Sequence, residues 1–463
     1  MRKWKLFILC LLFLYCILIL GCGRKEYGLQ QRNPVTITLW HNFGGTMQKT
    51  MDTLIDEFNS TVGKEKGIIV NVTAISSTND LQSALNMILN EDPGAPKMPD
   101  ITTCYPSTAI HFYEQKQLAN LKDYFTEEEL DAYIPEFVEE GQFEEDGLYV
   151  FPFAKSTEVL YLNQTLFDAF AKETGVTIES LSTFEGIAEV AELYYKWTDA
   201  KTPKIAQDGK SFFAADSWLN LAQSGMKQLS ENLFYDNNFS LRNDSYKKIW
   251  NTCYAPLVSG AFAIYEGYSS DLSKTGDLVC SIGSSAGILF YGNTITYSDN
   301  TTMEVDYTVL PYPIFENGEK YAIQRGNGMV VAKSNETKEY AATVFLKWFT
   351  TPEKNLQFTA ETGYLPVTKE AFENRMNDAI NKVEDEKIKK MLETVTKMYY
   401  HYSFYHAPNF MDYDNLSSEY EKKYLEYLSC EREEYRNDKH QNMNELSLDA
   451  WKEWITMINS PKK

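Results

Sequence analysis

The chain has 463 residues, 14% of them aromatic, and a formal charge of −21. That length exceeds what one hydrophobic core usually serves, so two lobes are expected. That charge excludes a protein that grips nucleic acid through its phosphates or adheres to anionic lipid by electrostatics. The 31 tyrosines offer flat apolar faces with a hydroxyl at one end, which suits a cleft for polar solutes.

Arg2, Lys3 and Lys5 precede an apolar run from Leu6 to Leu20. The run is shorter than the ~20 residues of a membrane-spanning helix and suits a secretory signal. It ends Ile19-Leu20-Gly21-Cys22. A small residue directly before a cysteine resembles the bacterial lipoprotein box. The resemblance implies a signal peptide over 1–21 and a lipidated Cys22 that begins the mature chain, facing outside the cytoplasm. Two acyl chains anchor stably where one does not. An ordinary cleaved signal or an uncleaved anchor helix is the competing reading. Loss of Arg2, Lys3 and Lys5 takes the charge from −21 to −24. Residues 22–33 are polar and aperiodic, as a flexible tether should be.

From residue 35 the pattern alternates strand and helix. Segment 35–40 is β-branched with period two. Met47, Met51, Leu54, Ile55 and Phe58 then fall on one helical face. A second strand covers 68–75, a helix 81–89, a third strand 99–104 and a helix 109–115. This order predicts a parallel sheet with crossover helices. The middle is more helical, over 184–197 and 217–229. Strands return at 278–282, 307–311 and 328–332. Helices follow at 339–349, 353–362 and 384–405, and the charged tail 417–454 is helical in character. Cys104, Cys253, Cys280 and Cys430 show no metal-like spacing. A disulfide between Cys253 and Cys280 and burial as free thiols both remain open.

Five blocks in this order resemble one family. They are Leu39-Trp40-His41 with a helix ending Asp56-Glu57-Phe58-Asn59; Pro99-Asp100-Ile101 with the segment 118–125; Pro152 to Thr157 with 159–163; the glycine-bounded segment 276–287; and Gly326-Asn327-Gly328 with 341–350 and Thr362-Gly363-Tyr364-Leu365-Pro366. Each block is weak alone, but together they are similar to the extracellular solute-binding proteins of ATP-driven importers, in the large sugar-binding group. The nearest pattern is the glycerol-3-phosphate-binding type. The resemblance implies a periplasmic-binding-protein-like fold of two α/β lobes, each a mainly parallel sheet flanked by helices, with ligand held between them. It also implies hinge closure and docking onto a membrane permease. The lobes are expected over 34–150 with 304–350, and over 151–303 with 351–463. A monomer without cofactor is expected.

Carried over position by position, the resemblance implies ligand contacts from Asn79, Tyr105, Ser156, Trp218, Ser284, Gly326 and Tyr364. Trp40 joins them because parallel strands present ligand groups at their carboxyl ends. Each has a plainer reading. Ser156 can cap the next segment, Gly326 can be a turn requiring positive φ, and Trp40 can be core. His41 has no metal-ligand partner at suitable spacing. The family type holds phosphate with an arginine in the C-terminal region, where this chain aligns Asp414. A carboxylate repels phosphate and accepts sugar hydroxyls, so a neutral sugar or oligosaccharide is expected, with glycerol phosphate or its diesters as the alternative. A lipid-anchored hydrolase finds no support, for there is no GxSxG elbow and no HExxH.

Overall fold

The computed structural model describes residues 27–75, 77–205, 207–437 and 442–459. Cys22 and the signal segment 1–21 lie outside them. The alternation in the first strand, β1 (Val35–His41), buries Ile37, Leu39 and His41. β1 pairs in parallel with β2 (Ile68–Ala74) along its length and with β3 (Ile101–Cys104). Between β1 and β2, helix α1 (Gly45–Ser60) turns Met47, Met51, Leu54, Ile55 and Phe58 into the core. Between β2 and β3 lies α2 (Thr78–Leu89), and α3 (Pro106–Glu114) follows β3.

The second sheet is built around β5 (Ser156–Asn163), which is buried at every residue because strands and helices cover both its faces. β6 (Phe213–Ala215) and β7 (Cys280–Ser284) extend it on one side. On the other side β8 (Tyr307–Leu310) and β9 (Tyr321–Arg325) pair with successive halves of β5, and β11 (Ser403–Tyr405) pairs with β9. β4 (Phe151–Pro152) and β10 (Gly328–Val331) return to the first sheet, in the order β2-β1-β3-β10-β4. The result is the two-lobed α/β fold that the resemblance implied, except that the second sheet is not mainly parallel: β5 runs antiparallel to β7, β8 and β9, since strand direction depends on partners far apart in the chain that the local pattern does not reveal.

The lobe boundaries move. β8 and β9 belong to the second sheet, so the chain returns to the first lobe at Gly326 and not near 304. Single strands of similar composition do not reveal which sheet they join. Helix α6 (Glu336–Phe349) is followed by α7 (Pro352–Thr362), which packs on α1 with a 2.6 Å Lys354–Glu57 ion pair and a 2.7 Å Thr50–Glu361 hydrogen bond. The second lobe therefore resumes after Gly363, not at 351. The expected tether is seated from Tyr27 onward, where the Tyr27 ring stacks on Tyr340 at 3.9 Å. Cys253 and Cys280 are free and buried.

Three chain crossings join the lobes side by side. Lys155 and Leu365 exchange backbone hydrogen bonds, and the Lys155 ammonium reaches the Gly326 carbonyl at 3.1 Å while pairing with Glu140. Gly326 has φ +95°, and a Cβ there would lie 3.0 Å from the Ala154 carbonyl. Its glycine is thus a backbone requirement of the crossing.

His41 ends β1 fully buried, with Nδ1 accepting the Phe43 N–H at 3.2 Å. Burial pushes its pKa down to about 4. Its folded pKa lies below its unfolded value, so no stability is lost above about pH 6.5. Stability falls as the pH drops toward 4, by up to about 3 kcal/mol. Denaturant melts across that range should show this slope, and His41→Leu should remove it. An unchanged slope in the variant would refute the assignment.

Candidate functional site

A cleft of about 890 Å³ separates the lobes. Its first-lobe wall is α2, Tyr105 and α3. Its second-lobe wall is the start of helix α4 (Trp218–Gln228), the end of β9, the segment 407–412 and the start of helix α9 (Tyr413–Asn437). Local chemistry sets these walls. Ser77 caps α2 by accepting from Asp80 N at 3.1 Å. Helical periodicity then sends Leu81 and Leu85 to the core and Asn79, Gln82 and Asn86 to the cleft. Pro106 opens α3 and holds Tyr105 extended (ψ 147°) at the carboxyl end of β3.

Four of the nine expected residues line the cleft: Asn79, Tyr105, Gly326 and Asp414. The other five do not. Ser156 is buried and accepts from the Ser284 hydroxyl at 3.1 Å, so the two tie β5 to β7. Trp218 is 3% exposed, among Phe213, Phe262 and Tyr424. Its neighbours Ser217, Leu219 and Asn220 line the cleft instead, since one helical step rotates a side chain by ~100°. Trp40 packs against the Leu81–Leu85 cluster and supports α2 from beneath. Tyr364 packs edge-on to Phe43 at 5.8 Å and beside Phe358.

The residues that sequence reasoning missed are mostly charged. Arg325 lines the cleft and donates to Glu158 at 2.8 Å, as does Asn220. Glu158 is 1% exposed, and its Oε2 has no hydrogen-bond partner among the described residues. Burial raises its pKa, with Arg325 and Asn220 opposing. Burial also works against the Arg325 charge, but Glu158, Tyr105 and Asp216 raise its pKa on balance. Glu421, on α9, accepts from Leu219 N at 2.9 Å, Trp218 N at 3.2 Å and the Ser217 hydroxyl, so it occupies the α4 N-terminus. Burial raises the Tyr105 phenol's pKa; Arg325 lowers it, while Tyr268, Asp414 and Glu140 add to the rise. Those five side chains thus share one neighbourhood. Tyr268 is 70% exposed. The signal that could have found Arg325 is its place beside Gly326; Glu421 lies too far along the chain from its partners to be found.

Two α/β lobes joined by three crossings, with a polar cleft between them, form the architecture of a solute-binding protein. The family model for bacterial extracellular solute-binding proteins matches residues 53–391. The chain belongs to that family, which is one of binding proteins, and this answers the hydrolase alternative. No curated relative matches it by sequence. Among solved structures, it is similar to the cyclic alpha-maltosyl-1,6-maltose binding protein of Arthrobacter globiformis, at 15% identity and TM-score 0.67 over 92% of this chain and 99% of that one. A Listeria monocytogenes ABC substrate-binding protein solved with cycloalternan has 15% identity and TM-score 0.64, over 93% and 100%. UgpB of Mycobacterium tuberculosis, solved with glycerophosphocholine, has 16% identity and TM-score 0.63, over 92% and 99%.

Proposed function

We propose that this chain is the lipid-anchored binding component of an ATP-driven importer, tethered through Cys22, and that it captures a carbohydrate in the cleft and presents it to a membrane permease by hinge closure. The observation that carries the ligand class is the makeup of the walls. Six asparagines (79, 86, 90, 220, 409 and 415) and three glutamines (82, 115 and 324) line the cleft. A carboxamide both donates and accepts, as a sugar hydroxyl does. Asn79, Tyr105, Gly326 and Asp414 act as contacts, and the exposed Tyr268 ring supplies a face for sugar C–H groups. Of the structural relatives, one is named as a cyclic alpha-maltosyl-1,6-maltose binding protein and another was solved with cycloalternan.

The alternative is a glycerol phosphodiester. It is favoured by Arg325 in the cleft and by the likeness to a structure holding glycerophosphocholine. Against it, Arg325 is already held by Glu158 and the remaining charges in the walls are carboxylates.

A thermal-shift screen over mono-, di- and oligosaccharides and glycerol phosphodiesters tests this. A ligand at a hundred times its Kd adds about 2.7 kcal/mol to the folded state. An oligosaccharide should raise the melting temperature, and a rise with phosphodiesters alone would reverse the ligand assignment. For the anchor, Cys22→Ala should release the protein from cell membranes, and full retention would count against lipidation.

A further inference from the structure

We infer that the cleft selects a saccharide bearing a free amino group, with Asp414 as the specificity-determining residue. This rests on the carbohydrate reading and narrows it. Glu140, Asp414 and Glu421 line the cleft, and Arg325 is its one arginine or lysine among the described residues. Behind the walls stand Glu158 and Asp216 near Arg325, and Lys155 beside Glu140. Five carboxylates thus face two permanent cations, with the His111 imidazole as a further basic group in the lining.

The partnerships are unequal. Arg325 is held by Glu158, Lys155 by Glu140, and Glu421 by the α4 N-terminus. Asp216 accepts two hydrogen bonds from Ser269. Asp414 has no ion pair among the described residues and only the first turn of α9, in which it lies, to offset its charge, and buried Glu158 still keeps Oε2 without a hydrogen-bond partner. Neither cation is therefore free to compensate Asp414.

Closure of the lobes over a ligand strips water from these groups. A neutral sugar then leaves the Asp414 charge to hydroxyl donors and the partial charge of the α9 N-terminus, and an anionic solute adds repulsion. An ammonium on the sugar removes the deficit. The rings of Tyr105 and Tyr268, in the same neighbourhood as Asp414, add a surface that attracts cations.

The experiment titrates the mature chain with a free-amine chito-oligosaccharide, its N-acetylated counterpart and a neutral cello-oligosaccharide of equal length. It is run at mildly acidic pH, at low and at high salt. The free amine should bind at least about tenfold tighter than either counterpart at low salt, and the gap should narrow with salt. In Asp414→Asn the ratio should collapse to about twofold or less, and Asp414→Glu should retain it. Equal binding of the three sugars by the wild-type chain, or an undiminished ratio in Asp414→Asn, would overturn the inference alone. If no sugar binds while a glycerol phosphodiester does, the carbohydrate reading falls and takes this inference with it.

Discussion

Replacing Arg325 by methionine is expected to destabilise the protein by about 3 kcal/mol near neutral pH, the lower end for breaking a buried pair. The lower end applies because the Arg325 side chain is 32% exposed while Glu158 is 1% exposed. The loss comes mainly from Glu158. Without the guanidinium its carboxylate keeps only Asn220 as a partner, in surroundings that already raise its pKa. The sign with pH follows. A carboxyl whose folded pKa lies above its unfolded value is destabilising above the folded pKa, and the loss fades as the pH falls toward the unfolded value. The variant should therefore recover stability in mild acid. Arg325→Met combined with Glu158→Gln should recover most of it at neutral pH. Denaturant melts of the single and double variants decide the matter, and a single variant within about 0.5 kcal/mol of wild type would show that the pair is not coupled.

Trp218→Ala should cost about 3–5 kcal/mol, the range for truncating a buried aromatic side chain. At 3% exposure the indole has no face left for a ligand, so the effect is on folding. Tyr268→Ala is the contrasting case. Its side chain is 70% exposed, so stability should change by no more than about 0.5 kcal/mol, while sugar affinity drops by about 1 kcal/mol with the lost aromatic face. The two substitutions separate an aromatic buried in the second lobe from an exposed one proposed to meet the solute. A Trp218→Ala protein that melts like wild type but loses ligand would restore Trp218 to the site.

Much of the fold was legible before any coordinates. Helical periodicity in 47–58 and 81–89 fixed which residues face the core, because apolar burial and the 3.6-residue repeat leave one solution. The third strand was legible from its own pattern and ends at Cys104, whereas Tyr105 beyond it came only from the resemblance. The composition also pointed to an acidic two-lobed binder.

Other features depended on the tertiary structure alone. Whether 307–310 joins the first or second sheet depends on a partner strand some 150 positions away in β5. Trp218 and its neighbours differ only by one or two helical steps of ~100°, and nothing local says which faces the cleft. The Glu158–Arg325 pair and the Glu421 cap join residues 167 and 202 positions apart. Such contacts arise when lobes assemble and leave no periodic trace. The sequence therefore determined that there are two α/β lobes and which helix faces are core. Only assembly decided that Arg325 is already held and Asp414 is not, since charge pairing is a property of distance in space.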